Sequence, residues 1–290
     1  MIDIDRYLAN IGYRGTRRPD LTALHLIHRA HLARVPHENI DVHLDVPMLL
    51  DSEWILDKLV TRRRGGSCFE LNGALQLLLA ELGFDVQMLE AGSNRVEDGD
   101  DAWGNHLTLL VHLDGEPWLV DVGLGDGWLW PLPLREGVHR QGPIGYRIEQ
   151  LDDATWRVHR RPGFQLRSTD IRLGPQKLTD HLDRHLWYQT SPESVFSRAL
   201  VVRQPREDHV LMLRDLVLTC RGPAVDGGVE RRTLASRDEF EHVLTSEFNV
   251  AIDDLGAAGA SRLWQRVNEN HEAWLAEKAK RKESETPFAM

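Results

Sequence analysis

An α+β fold is predicted by the order in which three sequence patterns follow one another. Apolar residues recur at helical spacing through residues 1–84, and short runs rich in β-formers, broken by turn residues, fill 85–198. Strand patterns and then helical periodicity occupy 199–290. These three stretches are the expected domains, with candidate chemistry in the first two.

The helices come first. Residues 3–11 form a short amphipathic stretch ending at Gly12, and 20–33 carry Leu21, Leu24, Ile27 and Ala30 on one face. Residues 52–62 repeat the pattern through Ile55, Leu56 and Leu59. Residues 68–82 repeat it through Leu71, Leu75, Leu78 and Leu82, with Gly83 as the C-terminal cap. Strands are expected at 86–90, 106–113, 116–122, 144–150 and 155–160, and Asp114-Gly115 between two apolar runs signals a hairpin. Residues 170–185 read as a connector, partly helical. Further strands follow at 199–203, 208–213 and 216–220. Ser236 and Glu239 have capping-box spacing for a helix reaching about 247. A last helix is expected over 261–282, carrying Leu263, Val267, Trp274 and Leu275, and the charged run KAKRKESE is expected to fray.

Composition narrows the function. Of 290 residues, 41% are apolar and 28% charged, the mix of a soluble globular protein. No apolar run reaches the ~18 residues of a membrane span, and the opening residues lack the basic-then-apolar pattern of an export leader. Two cysteines, Cys68 and Cys220, could form one bridge but not a disulfide framework, so a reducing cytoplasm is the expected compartment. A net charge of −10 argues against a nucleic-acid binder, which needs basic surface to displace counterions. The run Arg62-Arg63-Arg64 is a local basic patch, and most such runs are solvated faces.

Cys68 is the strongest candidate for chemistry. Ser67 and Glu70 have capping-box spacing, which puts Cys68 on the first helical residue, where unpaired amides and the helix dipole favour a thiolate. Gly65-Gly66 before it permits close approach of backbone to a substrate. The alternative for a single cysteine is a buried structural one.

A thiolate nucleophile needs a base, and the base needs orienting. If Asp114-Gly115 is a two-residue loop, Leu113 pairs with Glu116, Thr108 faces Asp121 and His106 faces Gly123. Paired residues share a face of the sheet, so His106 and Asp121 are diagonal neighbours, roughly 7–8 Å apart at the backbone. Gly123 leaves room for the imidazole. An odd-length loop would turn Asp121 to the other face.

Other candidates are weaker. His25, His28 and His31 share a helix but lack carboxylate or thiol partners, and read as a partly exposed face rather than a metal site. His181 and His185 have i, i+4 spacing without the glutamate of a metalloprotease motif. Gly123, Gly125 and Gly127 follow a strand, but no helix pattern follows them, so a dinucleotide loop is disfavoured. Cys220 reads as inert core. Trp103 and Trp130 flank the chemistry and could wall a cleft.

Taken together, several segments resemble the arylamine N-acetyltransferase family. Residues 64–72, RGGSCFELN, resemble its RGGxCFExN signature, and 35–39, VPHEN, its IPFEN segment. Residues 103–107 resemble its histidine segment, 119–125 its VDVGFG segment, 187–196 the stretch closing its central domain, and 7–12 its opening. The resemblance runs in order from residue 5 to about 200. It implies an N-terminal helical bundle, a central β-barrel and a C-terminal α/β lid. It also implies a ping-pong reaction in which Cys68 takes an acetyl group from acetyl-coenzyme A, His106 takes the thiol proton and Asp121 orients His106. The acetyl group then passes to an arylamine, hydrazine or arylhydroxylamine. No permanently bound cofactor or metal is implied.

Glu38 and Arg64 would form a structural ion pair anchoring the loop before Cys68. His37 and Leu124 stand where the family has phenylalanine, in positions resembling its acceptor pocket, which implies a roomier or more polar pocket; alternatively His37 packs on a carboxylate. Phe69, Trp103, Gly104, Gly125, Trp130 and Phe196 complete the expected substrate-binding set. Two rivals are an amide synthase of the same family, drawing its acyl chain from a carrier protein, and a Cys-His-Asp hydrolase.

Overall fold

Aspartates start three of the first five helices by accepting hydrogen bonds from main-chain amides in the opening turn. The structure, a computed structural model, describes residues 3–160, 167–223 and 225–285. Asp3 caps α1 (Ile4–Asn10), Asp20 caps α2 (Leu21–Arg34), and Asp51 caps α4 (Ser52–Leu56), which continues in wider turns to Thr61. Between them lies the short α3 (Ile40–His43), and α5 (Cys68–Glu81) follows. Leu24, Ile27, Leu71, Leu75 and Leu78 from the helical stripes are fully buried in one core, which Leu109, Val111 and Val120 of the following strands complete.

Eight strands curl into a nearly closed, barrel-like sheet in the order β5-β4-β3-β2-β9-β8-β7-β6. They are β2 (Asp85–Ser93), β3 (His106–Leu113), β4 (Glu116–Val120), β5 (Leu132–Pro133), β6 (Gly137–Gln141), β7 (Ile144–Gln150), β8 (Thr155–His159) and β9 (Ser168–Gln176). Helix α6 (Arg95–Asp98) packs beside β9, and α7 (Leu182–Thr190) and α8 (Val195–Arg198) follow the sheet in the chain and pack on each other. The β3–β4 hairpin has the expected register, Leu113 opposite Glu116 through Leu109 opposite Val120. Asp114 and Gly115 both take positive φ, 51° and 82°, as a two-residue turn matched to strand twist requires.

The second sheet is ordered β1-β10-β11-β12-β13: β1 (His37–Glu38), β10 (Val201–Pro205), β11 (Val210–Arg214), β12 (Val217–Arg221) and β13 (Val229–Thr233). One of its faces packs with α9 (Arg237–His242) and α10 (Gly256–Glu285) in a separate apolar core. Asn39 ties this sheet to the helices. Its amide donates to Phe196 O (2.8 Å) and Ala199 O (2.9 Å) and accepts from Val201 N (2.7 Å).

Some expectations change. Residues 168–176 are strand β9 rather than connector; a register shift at Leu89/Glu90 absorbs the irregularity of Gly174 and Pro175. Strands β6 and β13 escape the apolar pattern because their residues are mostly exposed. The last helix starts at Gly256 and includes KAKRKESE through Glu285, although its burial ends with Leu263 and Val267 and leaves Trp274 and Leu275 exposed. Among the described residues no helix is long and apolar enough to cross a membrane.

Candidate active site

Cys68 is the first residue of α5 and is buried. Glu70 accepts from Ser67 N–H at 2.7 Å and from Lys58 Nζ at 2.9 Å, while Ser67 Oγ is enclosed without a hydrogen-bond partner. The glycines before Cys68 serve a different close approach from the one expected. A Cβ on Gly65 would lie 2.2 Å from Pro36 O, because the chain here runs against residues 36–38. Glu38 N–H donates to Gly66 O at 3.0 Å.

Arg64 and Glu38 form the expected ion pair at 3.0 Å, within a larger buried network. Arg64 also reaches Asp41 at 3.1 Å, and Lys58 bridges Asp41 and Glu70 at 2.8 and 2.9 Å. Burying such charges is costly unless each is paired, and removing one partner costs about 3–5 kcal/mol.

His106 opens β3, and Asp121 lies one residue past β4, so the hairpin brings both to its mouth. His106 Nε2 donates to Asp121 Oδ2 at 2.6 Å, and the same ring is hydrogen-bonded to Cys68. Burial opposes charge on His106, but the charge and hydrogen bond of Asp121, then those of Cys68, push it up to about 10. Burial also opposes the Asp121 carboxylate. His106, the Asn72 amide and Gly123 N–H overcome this and hold it below the ordinary carboxylate range.

Three supports of Asp121 were not assigned from sequence. Asn72, one turn beyond Cys68, donates to Asp121 Oδ1 (3.1 Å) and Leu107 O (2.5 Å) and accepts from Val122 N–H (2.9 Å). Gly123 N–H donates to Asp121 Oδ1 at 2.8 Å. His28 Nδ1 lies 3.1 Å from Leu129 O while its Nε2 accepts from Asp121 N–H at 3.2 Å. His28 and His31 are fully buried, and burial pushes them down to about 4 and about 3, so of the three histidines on this face only His25 is partly exposed as expected. Gly123 makes room for Cys68 rather than for the imidazole: a Cβ there would lie 2.7 Å from Cys68 Cα.

A cavity of about 380 Å³ opens onto Cys68 and His106, walled by His37, Leu124, Tyr188, Phe196 and Arg203. His37, Leu124 and Phe196 therefore line it as expected. His37 meets no carboxylate; its ring stands edge-on to Phe196 at 5.6 Å and its Nδ1 is unpartnered. Burial, then the charges of Arg203 and His106, push His37 down to about 3.

The other expected residues lie outside the walls. Phe69 is fully buried behind Cys68 among His181, His185 and Tyr188. Trp103 is held between the guanidinium groups of Arg95 and Arg172 at 4.8 and 4.1 Å. Trp130 packs on His25 and Arg29. Gly104 takes a positive φ of 71° and does not border the cavity, and Gly125 (φ 72°) fits between His37 and Arg203. Tyr188 and Arg203 border the cavity without having been expected there.

This combination of fold and site places the chain in a known group. The model of a family described as N-acetyltransferase matches residues 20–256. The chain belongs to the arylamine N-acetyltransferase family, whose members are acyltransferases. It is 34% identical to an arylamine N-acetyltransferase of Mycolicibacterium smegmatis, over 88% of this chain and 94% of the relative. It is 35% identical to an arylamine N-acetyltransferase / N-hydroxyarylamine O-acetyltransferase of Salmonella typhimurium, over 63% of this chain and 66% of that protein. The solved structure of a Mycobacterium marinum arylamine N-acetyltransferase in complex with CoA superposes with a TM-score of 0.82 at 28% identity, covering 92% of this chain and 99% of that one.

Proposed function

We propose that the protein transfers an acetyl group from acetyl-coenzyme A to an aromatic amine, hydrazine or arylhydroxylamine in two steps through an acyl-Cys68 thioester. The observation that carries this reading is the hydrogen-bonded series Cys68–His106–Asp121 at the floor of a walled cavity.

In the first step the Cys68 proton passes to His106 and the sulfur attacks the thioester carbonyl carbon. First-turn amides of α5 hold the developing oxyanion. The carbon–sulfur bond to coenzyme A breaks, and its sulfur recovers the proton from His106. In the second step the amine attacks the acyl-Cys68 carbonyl, His106 takes the amine proton, and Cys68 leaves as the thiolate. Asp121 stabilises the imidazolium each time it forms, which the high proton affinity of His106 supports.

The acceptor ring fits between Leu124 and the Tyr188–Phe196 stack, whose centroids are 4.7 Å apart. Neutral His37 offers it a hydrogen-bonding nitrogen where an aromatic wall would offer none. The cytoplasm supplies acetyl-coenzyme A and is the proposed location. The test is intact-mass analysis after mixing protein and acetyl-coenzyme A without acceptor. One acetyl group is expected on the protein, removed by added arylamine and absent in Cys68→Ala. An unmodified wild-type mass would sink the proposal.

A further inference from the structure

Strand β1 forms the edge of the second sheet, and its pairing with β10 sets His37 opposite Arg203. Residues directly opposite in an antiparallel pair share a face, and both side chains here line the catalytic cavity together with Cys68. Gly125 lies against the two of them. A Cβ on it would fall 2.9 Å from Arg203 Cβ and 3.2 Å from both Arg203 Cδ and His37 Cβ. Glycine tolerates that contact and its φ of 72° alike, so the imidazole and the guanidinium stand side by side on one wall.

Both side chains carry polar atoms that the fold leaves unused. His37 Nδ1 and Arg203 Nε are closed off from solvent and have no hydrogen-bond partner among the described residues, an arrangement that costs stability until an acceptor arrives. Arg203 keeps its charge, because a guanidinium does not lose its proton in a protein. Asp126 is the carboxylate whose charge acts on it, and that group is bonded to Arg160 at 2.8 Å. Asp98 and Asp101, also in the cavity lining, are exposed. Burial first, then the charges of Arg203 and His106, keep His37 neutral near pH 7. In the tautomer protonated at Nδ1 it presents a donor beside the guanidinium.

We propose that His37 and Arg203 form a carboxylate subsite in the catalytic cavity, which selects acceptor amines carrying an anionic substituent on the ring. The amine lies at acyl-Cys68 and the ring against Leu124 and the Tyr188–Phe196 stack. Its carboxylate then meets a planar guanidinium that binds both oxygens, and an imidazole N–H that adds a third contact. Phenylalanine at residue 37, as in the corresponding family segment, would offer no hydrogen bond there. The inference rests on the reading of Cys68 as the acetyl carrier. A free carboxylate on the acyl group, as in a dicarboxylic acyl thioester, is the other source of the same anionic chemistry, and the test separates the two.

In the experiment Cys68 is acetylated with acetyl-coenzyme A and freed of donor. Its deacetylation by 4-aminobenzoate, by the uncharged methyl ester of that acid and by aniline is then timed in wild type, Arg203→Gln, Arg203→Lys and His37→Phe. Wild type should prefer 4-aminobenzoate to aniline. The ratio of their second-order rate constants should fall about tenfold or more in Arg203→Gln and by a smaller factor in His37→Phe, while Arg203→Lys keeps part of it. The ratio of methyl ester to aniline should hold steady, whereas a wall that only packs on the ring would move both. An unchanged 4-aminobenzoate ratio in Arg203→Gln would overturn the proposal, as would an equal fall for the ester. Acylation of Cys68 by succinyl- and acetyl-coenzyme A is compared in the same variants. A lost preference found there and not among the amines would give the subsite to the acyl group and overturn its assignment to the acceptor. Failure of acetyl-coenzyme A to acetylate the wild type would overturn the reading of Cys68 itself, and this inference with it.

Discussion

At the scale of single residues, the two largest influences on the proton affinity of His106 oppose each other. Burial removes water from the imidazolium, and the Asp121 carboxylate at 2.6 Å replaces it with a fixed negative charge. Asp121→Asn deletes the second effect and leaves the first. The His106 pKa should then drop from about 10, with only Cys68 left to oppose burial, followed by ¹⁵N imidazole chemical shifts across pH 5 to 10. Acetylation of Cys68 should slow by about 10²-fold or more. A His106 titration that does not move would show that Asp121 is not what holds the ring charged. The pairing of these two residues is legible in sequence, because a two-residue Asp-Gly turn fixes every opposing pair by arithmetic. Asn72 and His28 are less so. Their targets are a carboxylate and a main-chain amide on distant strands, and spacing within a helix does not say what the helix faces.

At the scale of elements, the approach of α5 to the β4 end depends on glycine. A methyl group on Gly123 would fall 2.7 Å from Cys68 Cα and 2.9 Å from its Cβ, so Gly123→Ala must push the helix start away from the hairpin. Gly145→Ala, whose Cβ would meet only Val138 at 3.9 Å, is the control. The first should cost about 1–3 kcal/mol in urea unfolding and slow acetylation, and the second neither. Equal stability of the two variants would show that the contact relaxes freely.

The strands and helices themselves are legible wherever apolar period and turn chemistry agree. They are hidden where polarity masks a strand, as in β13, or where Gly174 and Pro175 imitate a loop within β9. The pocket was the least legible part. Phe69, Trp103 and Trp130 lie near the chemistry along the chain, yet their rings turn into packing or onto arginines. Arg203 enters the cavity only through the pairing of β1 with β10, which no local pattern announces.

At the scale of the whole molecule, neutral buried histidines make the fold sensitive to acid. Burial is the main cause that pushes His28 down to about 4 and His31 and His37 to about 3. Each is neutral in both folded and unfolded chains above its unfolded pKa of about 6.5. Below that the unfolded chain takes up the proton first, so stability falls as pH drops from about 6.5 toward the folded values, by about 2 kcal/mol per histidine at pH 5. Asp121, lowered in the fold, adds loss at still lower pH. His106 works on the alkaline side, contributing stability below about 6.5 that is lost as pH rises through about 10. Thermal melts should therefore show Tm falling steeply between pH 7 and 5, and less steeply in His31→Gln. Equal Tm at pH 7 and pH 5 would refute this account.

The side chain of Asn39 has a consequence for how the enzyme comes into being. It joins the first helices to residues 196, 199 and 201 across more than half the chain. Contacts this distant in sequence close only after the intervening segments have ordered, because the entropy of closing so long a loop must be met before the contact is rewarded. The wall bearing Arg203 and Phe196 is therefore among the last parts of the active site to assemble during folding. On the ribosome, Cys68, His106 and Asp121 emerge before the second sheet, so the proposed triad can pack ahead of its cavity wall. Catalytic competence arrives with the second sheet, which makes acetyl transfer a readout of the finished chain.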